Sequence, residues 1–216
     1  MTDQRQAGLD DPRAVEILTT EHWSLLSTRT LGYQEMFGRA TIFTAILSAV
    51  IVALALLAQA THFGNETLTI ALVLLSVALF IGLATFVRGV AINLEDARWV
   101  AGMVRLRHAY LQMVPELAQY FVADHEPGAE HRSLGYGSPQ RLRDLAKSLT
   151  TTSSVVAALN SVLAGTIASD LGALFGGRLA VDLTVGVVVS LVSAALHVRY
   201  AARFRRQHAP SAPSPG

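Results

Sequence analysis

The sequence predicts an all-α integral membrane protein, a four-helix bundle that crosses the bilayer four times and carries cytoplasmic helical extensions. Two observations predict this fold class. Only 15% of the 216 residues are charged, whereas soluble domains usually contain about 25% charged residues. The deficit is concentrated in four long uncharged runs, each close to the ~20 residues that a helix needs to cross the hydrocarbon of a membrane.

Each uncharged run predicts one transmembrane helix. The runs cover residues 41–61, 68–87, 149–169 and 183–198, and the last is uncharged apart from a proton that His197 can carry. Core helices of soluble proteins normally keep a polar face, and none of these runs has one. The runs therefore favour two transmembrane hairpins, residues 41–87 and 149–200, over a soluble bundle.

The basic residues predict the orientation of the spans. The link at residues 61–67 contains no Lys or Arg, and the link between the last two spans contains only Arg178. The other sixteen of the seventeen basic residues lie in segments that face the opposite side. Because Lys and Arg concentrate on the cytoplasmic side, we expect a multi-pass protein of the cell membrane with both termini in the cytoplasm. The first span follows a long polar segment, so we expect it to be an uncleaved anchor.

Residues 1–40 predict a cytoplasmic amphipathic helix, whose start is marked by Asp10, Asp11 and Pro12. Its large or apolar residues recur every three or four positions, which is typical of a buried helix face. The residues of this stripe are Trp23, Leu26, Thr30, Tyr33 and Phe37.

A second stripe follows the second span, within a cytoplasmic helix and loop at residues 88–148. Its spacing alternates between four and three, which is the pattern of a heptad seam. The residues of this seam are Trp99, Met103, Leu106, Tyr110, Met113, Leu117 and Tyr120. We expect one helix of about 45 residues through the span and the seam, kinked or broken near Leu111 because Pro115 removes a backbone donor.

The two stripes extend from antiparallel spans, so we expect them to lie side by side. Either they bury each other as an antiparallel pair, or one of them docks another subunit or a partner helix. Beyond the seam, residues 124–137 contain several Pro and Gly residues and predict a loop. Ser138 and Pro139 then predict the start of a helix leading into the third span. Residues 201–216 predict a basic, disordered cytoplasmic tail.

Small residues recur every fourth position within three spans, which is the pattern of helices that approach closely in lipid. We expect these ladders to pack helix against helix, with a lined pore as the alternative. The ladders are Ala157, Ser161, Gly165, Ser169 and Ala173 in the third span, Gly186, Ser190 and Ala194 in the fourth, and Ala45, Ala49 and Ala53 in the first.

Few polar groups occur within the spans. Asn160 lies near the middle of the third span, where its amide needs an interhelical partner. Asp170 lies near the outer end, so we expect it to reach interfacial water or pair with Arg178, with an ion relay as the alternative. Asp182 begins the fourth span, and His197 is expected to face headgroups at the inner boundary. No span centre carries an acid or base, which argues against a proton-coupled transporter.

No catalytic, cofactor-binding or metal site is predicted. The chain has no cysteine, which excludes disulfides and thiolate chemistry, and its net charge of +1 gives no reason to expect nucleic-acid binding. The two histidines within residues 124–131 flank Pro127 and Gly128, so they cannot share a helix face as a zincin motif requires. We expect a solvated acidic loop there, with a metal site as the alternative. The arginines at 199–206 are expected to hold anionic headgroups.

Residues 21–26 (EHWSLL), residues 39–59 and the hairpin that follows resemble uncharacterised bacterial four-span membrane proteins over roughly the first hundred residues. A two-span hairpin with cytoplasmic helices is also similar in topology to SLATT-type membrane effectors of nucleotide-linked bacterial defence. That resemblance implies an oligomer that breaches the membrane.

We therefore expect a membrane-embedded, homo-oligomeric assembly component in contact with the lipid bilayer, with a pore or permeability role, and not an enzyme. One alternative is a membrane anchor or regulator that recruits a soluble cytoplasmic partner through its helices. The other is a small-molecule transporter, which would require polar residues at the midplane or broken spans.

Overall fold

A computed structural model describes residues 9–62, 64–121 and 151–208. Four long helices dominate these residues: α1 (Ala14–Thr61), α2 (Asn65–Met113), α3 (Thr152–Leu174) and α4 (Leu179–His208). A short 3₁₀ helix, Pro115–Tyr120, follows α2. The predicted loop at 124–137, the predicted helix start at Ser138 and the last residues of the predicted tail lie outside the described residues.

Each of the four long helices contains a stretch long and apolar enough to cross a membrane. Helices α1 and α2 contain 48 and 49 residues, so both are much longer than a single span requires. The chain is therefore an all-α, multi-pass membrane protein, and the predicted fold class is confirmed.

The helix ends follow from local sequence. Asp11 starts α1, because its carboxylate accepts the backbone N–H of Arg13 at 2.8 Å and its carbonyl accepts that of Ala14 at 2.8 Å. Pro115 ends α2 close to the predicted position, since the helix stops at Met113 and the chain tightens into the 3₁₀ helix. The side chain of Thr151 caps α3.

The connection between α3 and α4 is a short glycine turn. Gly176 adopts a positive φ of 79°, a conformation that glycine reaches without steric penalty. The N–H groups of Gly176 and Gly177 donate to the carbonyls of Ala173 and Gly172 at 3.0 Å, which satisfies two of the last carbonyls of α3.

The prediction of a disordered tail from residue 201 is wrong for its first part. Helix α4 continues to His208, and Ala201 and Phe204 pack against the core near its end. The composition of residues 201–208 favours this result, because Ala, Arg, Gln and Phe are compatible with a helix and the first Pro is residue 210. The prediction was based on the basic residues, which are exposed, and did not consider the apolar residues on the other face of the same helix.

The described residues divide into two compact units. The arm unit comprises residues 9–34 with residues 92–121, and the membrane unit comprises residues 35–62, 64–91 and 151–208. The core of the membrane unit contains side chains from all four helices, including Phe43, Ala78 and Phe86 from α1 and α2 and Val156 from α3. Most other apolar side chains of the spans remain exposed, as expected for surfaces that face lipid or other subunits.

Candidate functional site

The two helices of the arm unit pack side by side through the predicted seam. On α2, Met103 is buried and Trp99 is half-buried, with the Trp99 ring lying directly against Gly32 of α1. One turn further along α2, Gly102 faces the side chain of Leu25. The expectation that the two arms pack on each other is therefore confirmed for this part of the seam.

The prediction of which face of α1 packs against α2 is wrong, because the packed face lies beside the predicted stripe. The residues that turn toward α2 are His22, Leu25, Arg29 and Gly32, all buried or half-buried. The predicted stripe residues are exposed, among them Trp23 at 63% and Phe37 at 57%. Of these residues, Tyr33 still reaches α2 through the hydrogen bond from its hydroxyl to Asp96. We call Trp23, Leu26 and Thr30 the outer stripe. Leu117 and Tyr120 of the predicted seam are also exposed, because the seam continues past the end of α2.

A charged contact crosses the arm unit. The guanidinium of Arg29 donates to the carboxylate of Asp96 at 2.6 Å, and the hydroxyl of Tyr33 donates to the same carboxylate at 3.1 Å. The Asp96 side chain is only 15% exposed, so this pair is partly shielded from water. A shielded pair with several hydrogen bonds fixes the register of two helices more firmly than an exposed one.

His22 lies in the same interface, with its ring 6.0 Å from that of Tyr110. Its Nδ1 atom is buried without a hydrogen-bond partner among the described residues. Burial, with a smaller contribution from the positive charge of Arg107, lowers the pKa of His22 below its ordinary value. Protonation of His22 therefore opposes the folded arm.

A second charged cluster joins α1 and α2 within the membrane unit. Glu35 accepts two hydrogen bonds from Arg88, at 2.9 and 2.8 Å, and one from Arg39 at 2.9 Å. The hydrogen bonds from Arg88 and Arg39 lower the pKa of Glu35 to about 2. The carboxylate is therefore ionised at any physiological pH and ties the two helices together immediately before the first span.

The small-residue ladders of α3 and α4 meet at their glycines. A Cβ atom on Gly165 would overlap the backbone carbonyl oxygen of Gly186 and the hydroxyl of Ser190. A Cβ on Gly186 would lie 2.8 Å from the carbonyl oxygen of Gly165 and 3.2 Å from the Cβ of Ser169. This confirms that the ladders of α3 and α4 pack against each other.

The ladder of α1 does not pack in the same way. Ala45, Ala49 and Ala53 are all exposed, so the predicted contact through this face is absent from the described residues. Helix α1 instead contributes Phe43, which is fully buried, to the core.

Asn160 is completely buried, as expected for an amide near the middle of a span. Its side chain lies against Gly82 of α2, where a Cβ would overlap the amide oxygen and come within 2.7 Å of the Phe43 ring. Neither the amide oxygen nor the amide nitrogen has a hydrogen-bond partner among the described residues. The expected interhelical contact is therefore made by close packing rather than by a hydrogen bond.

The two acids at the other end of α3 and α4 have different surroundings. Asp182 is buried, and its carboxylate lies against the Cα atoms of Gly172 in α3 and Gly177 in the turn. Asp170 is half-buried at one end of an apolar groove in the membrane unit. Neither acid forms an ion pair with Arg178 in the part of the chain that the structure describes, so of the two alternatives expected for Asp170 the pairing with Arg178 is not formed there.

The prediction that His197 faces headgroups is wrong, because the residue is buried against the core. Its ring meets the Phe86 ring edge-on at a centroid distance of 4.6 Å. The Nδ1–H donates to the carbonyl of Ser193 at 2.7 Å, which leaves a buried Nε2 without a partner among the described residues. The prediction failed because it placed the end of α4 too close to this residue.

The arginines near the end of α4 are exposed, and their predicted role in holding anionic headgroups stays a prediction. Arg199, Arg203 and Arg206 lie on one face of the helix and line a shallow depression of about 230 Å³. The histidine and acid cluster at 124–131 lies outside the described residues. Within the described ranges, no group of three or more His, Asp or Glu residues has a metal-binding arrangement.

Comparison with known proteins adds no functional assignment, since no family model, no curated protein and no solved structure matches this chain. The resemblances drawn from the sequence therefore stay predictions.

Proposed function

We propose that this chain is a membrane-embedded assembly component that forms a homo-oligomer through the outer stripe of its arm unit, with both termini and the arm in the cytoplasm of the cell. The observation that carries the proposal is the exposure of Trp23 at 63% in a two-helix unit rich in charged residues. A large aromatic ring left in water loses the free energy that its burial would supply, about 1.5–3 kcal/mol for a large apolar side chain.

Heptad spacing supports a second copy of the chain as the partner. Trp23, Leu26 and Thr30 are separated by three and four residues, and Tyr33 continues this spacing with its hydroxyl bonded to Asp96. Copies inserted in one membrane with the same topology present their arms in parallel. A heptad stripe is self-complementary in that arrangement, because each residue meets its counterpart in the other copy. Confinement to the membrane also raises the effective concentration of the arms.

Single cysteines provide a sharp test, since the chain contains none. Thr30→Cys lies on the outer stripe, whereas Thr28→Cys lies on the opposite side of the same helix. The two threonines are matched, because both are exposed and each hydroxyl donates to the carbonyl four residues earlier, at 3.0 and 2.9 Å. We expect oxidation in native membranes to cross-link most of the Thr30→Cys protein into dimers and little of the Thr28→Cys protein.

A charge placed on the stripe should dissociate the assembly. Leu26→Glu introduces a carboxylate into the proposed contact, whereas Leu31→Glu makes the same change outside the stripe, where the leucine is 64% exposed. Light scattering in a mild detergent should give the monomer mass for Leu26→Glu and the oligomer mass for Leu31→Glu. Equal masses for the two variants, or equal cross-linking of the two cysteine proteins, would contradict the proposal.

The more specific proposal is that the assembly permeabilises the membrane, as its resemblance to SLATT-type effectors implies. Purified protein in liposomes should then show conductance that Leu26→Glu abolishes and Leu31→Glu retains. The exposed Leu117 and Tyr120 favour a second candidate, an anchor that recruits a soluble partner. In that case Leu26→Glu would leave the mass unchanged, and Tyr120→Ala would abolish partner capture.

A further inference from the structure

An apolar groove opens on the surface of the membrane unit between α1, α2 and α3. Its volume is about 330 Å³, and its walls include Leu47 and Leu54 of α1, Leu75 of α2 and Leu163 of α3. Two polar residues, Thr166 and Asp170, lie one turn apart on α3 and also line the groove. The volume is near the lower limit of the ~300–1,000 Å³ of small-molecule sites.

The polar residues of the groove offer hydrogen-bond acceptors. Asp170 presents a carboxylate and forms no hydrogen bond or ion pair with any residue that the structure describes. The hydroxyl of Thr166 already donates its proton to the carbonyl of Val162 at 3.1 Å, so its oxygen is left as an acceptor. A ligand that satisfies both residues has to donate hydrogen bonds and, to balance the carboxylate, carry a positive charge.

We propose that this groove binds an amphiphilic monovalent cation of the alkylammonium class, with the ammonium on Asp170 and Thr166 and the apolar chain along the leucine walls. Charge complementarity selects a cation, because an unpaired carboxylate beside lipid is costly and a bound ammonium removes that cost. The small volume favours a single-chain amphiphile over a two-chain phospholipid. This site does not depend on the outer stripe or on oligomer formation.

Titration calorimetry with dodecylammonium in a neutral maltoside detergent tests the proposal. Dodecanol and dodecanoate have the same chain without the positive charge and serve as ligand controls. We expect saturable binding of dodecylammonium alone. Asp170→Asn, which keeps the shape of the side chain, should weaken that binding at least tenfold. Thr166→Val should weaken it by a smaller factor, because one acceptor is lost.

Glu66→Gln is the matched control variant, since it also neutralises one acid but at an exposed position outside the groove. It should bind dodecylammonium as the unchanged protein does. Helical circular dichroism and the elution volume in size-exclusion chromatography show whether each variant is folded. Should Asp170→Asn fail to fold, protection of Asp170 from a hydrophobic carbodiimide by dodecylammonium, read by mass spectrometry, tests the same contact in the unchanged protein.

Several results would overturn the proposal. Equal binding of dodecanol and dodecylammonium would mean that the groove selects apolar chains without regard to charge. Unchanged binding by Asp170→Asn, or no protection from the carbodiimide, would remove the carboxylate from the site. A co-purified phospholipid that dodecylammonium does not displace would assign the groove to lipid instead.

Discussion

The arm unit and the membrane unit are both built from packed helices, yet different side chains hold them together. In the arm, large residues meet glycine or other side chains, as Trp99 does at Gly32, and the Arg29–Asp96 ion pair crosses the interface. In the membrane unit, α3 and α4 meet backbone to backbone at Gly165 and Gly186.

We attribute the difference to the solvent proposed for each unit, water for the arm unit and lipid for the membrane unit. In water, burial of large apolar side chains provides the driving force, and a charged pair is tolerated at the edge of the contact. In lipid, an apolar side chain gains little by leaving the acyl chains, so helices associate where small residues allow close backbone contact. The two interfaces should therefore differ in how strongly they respond to added volume and to added salt.

The largest expected effect comes from adding one methyl group to each interface. Gly165→Ala places a Cβ against the carbonyl of Gly186, which cannot move without shifting α4, so we expect a loss of about 1–3 kcal/mol. Gly102→Ala places its Cβ 3.0 Å from the flexible end of Leu25. Alanine favours a helix over glycine by up to about 1 kcal/mol, which should offset the cost of this close contact.

Unfolding of both variants in detergent, followed by helical circular dichroism, measures this difference. Gly38→Ala, which has no atom within 4 Å of the new Cβ, controls for the intrinsic preference of alanine in a helix. A Gly165→Ala protein as stable as the Gly102→Ala protein would show that the two interfaces do not differ in the way proposed.

A smaller effect is expected when the ion pair of the arm is removed. Arg29→Gln and Asp96→Asn, alone and combined, should give a coupling energy of about 1 kcal/mol that decreases as salt is added. The two tryptophans of the chain, Trp23 and Trp99, both belong to the arm unit, so tryptophan fluorescence reports its unfolding.

Arg13→Gln is the matched control, because the Arg13–Asp11 pair is local and exposed. It should leave the fluorescence melting curve unchanged. A coupling energy near zero for Arg29 and Asp96 would mean that the pair only accompanies the packing of Leu25 and Trp99 and does not stabilise the arm.

The spans were predictable because a single property, the absence of charge over about 20 residues, determines them. The helical face that packs in the arm was not. On α1 the packed face contains His22, Arg29 and Gly32, which a search for apolar residues passes over, while the neighbouring face contains Trp23 and Leu26. Both faces have heptad spacing, and only the contacts with α2 distinguish them.

Among the polar residues, the burial of Asn160 could be predicted, whereas the burial of His197 and the partners of Glu35 could not. Asn160 was expected in the interior because an amide near the middle of a span avoids lipid, and it is buried. The carboxylate of Glu35 and its two arginines were not singled out, although Glu35 and Arg39 show the spacing of four that helical ion pairs have. The third member, Arg88, is 53 residues away in sequence, and only the hairpin brings it close.

The smallest expected effect is a pH dependence that belongs to the arm alone. Because the pKa of His22 is lowered in the folded arm, the unfolded arm binds a proton more readily, near the ordinary histidine value of about 6.5. The contribution of neutral His22 is therefore fully present above that pH and is lost as the pH falls below it. We expect the melting temperature of the arm unit, followed by tryptophan fluorescence, to fall by a few degrees between pH 7.5 and pH 5.

His22→Leu should abolish most of this fall in the melting temperature. His108→Gln, a control at a histidine whose ring contacts Gln112 on the same helix, should retain it. An unchanged pH dependence in His22→Leu would mean that burial of this ring does not destabilise its charged form.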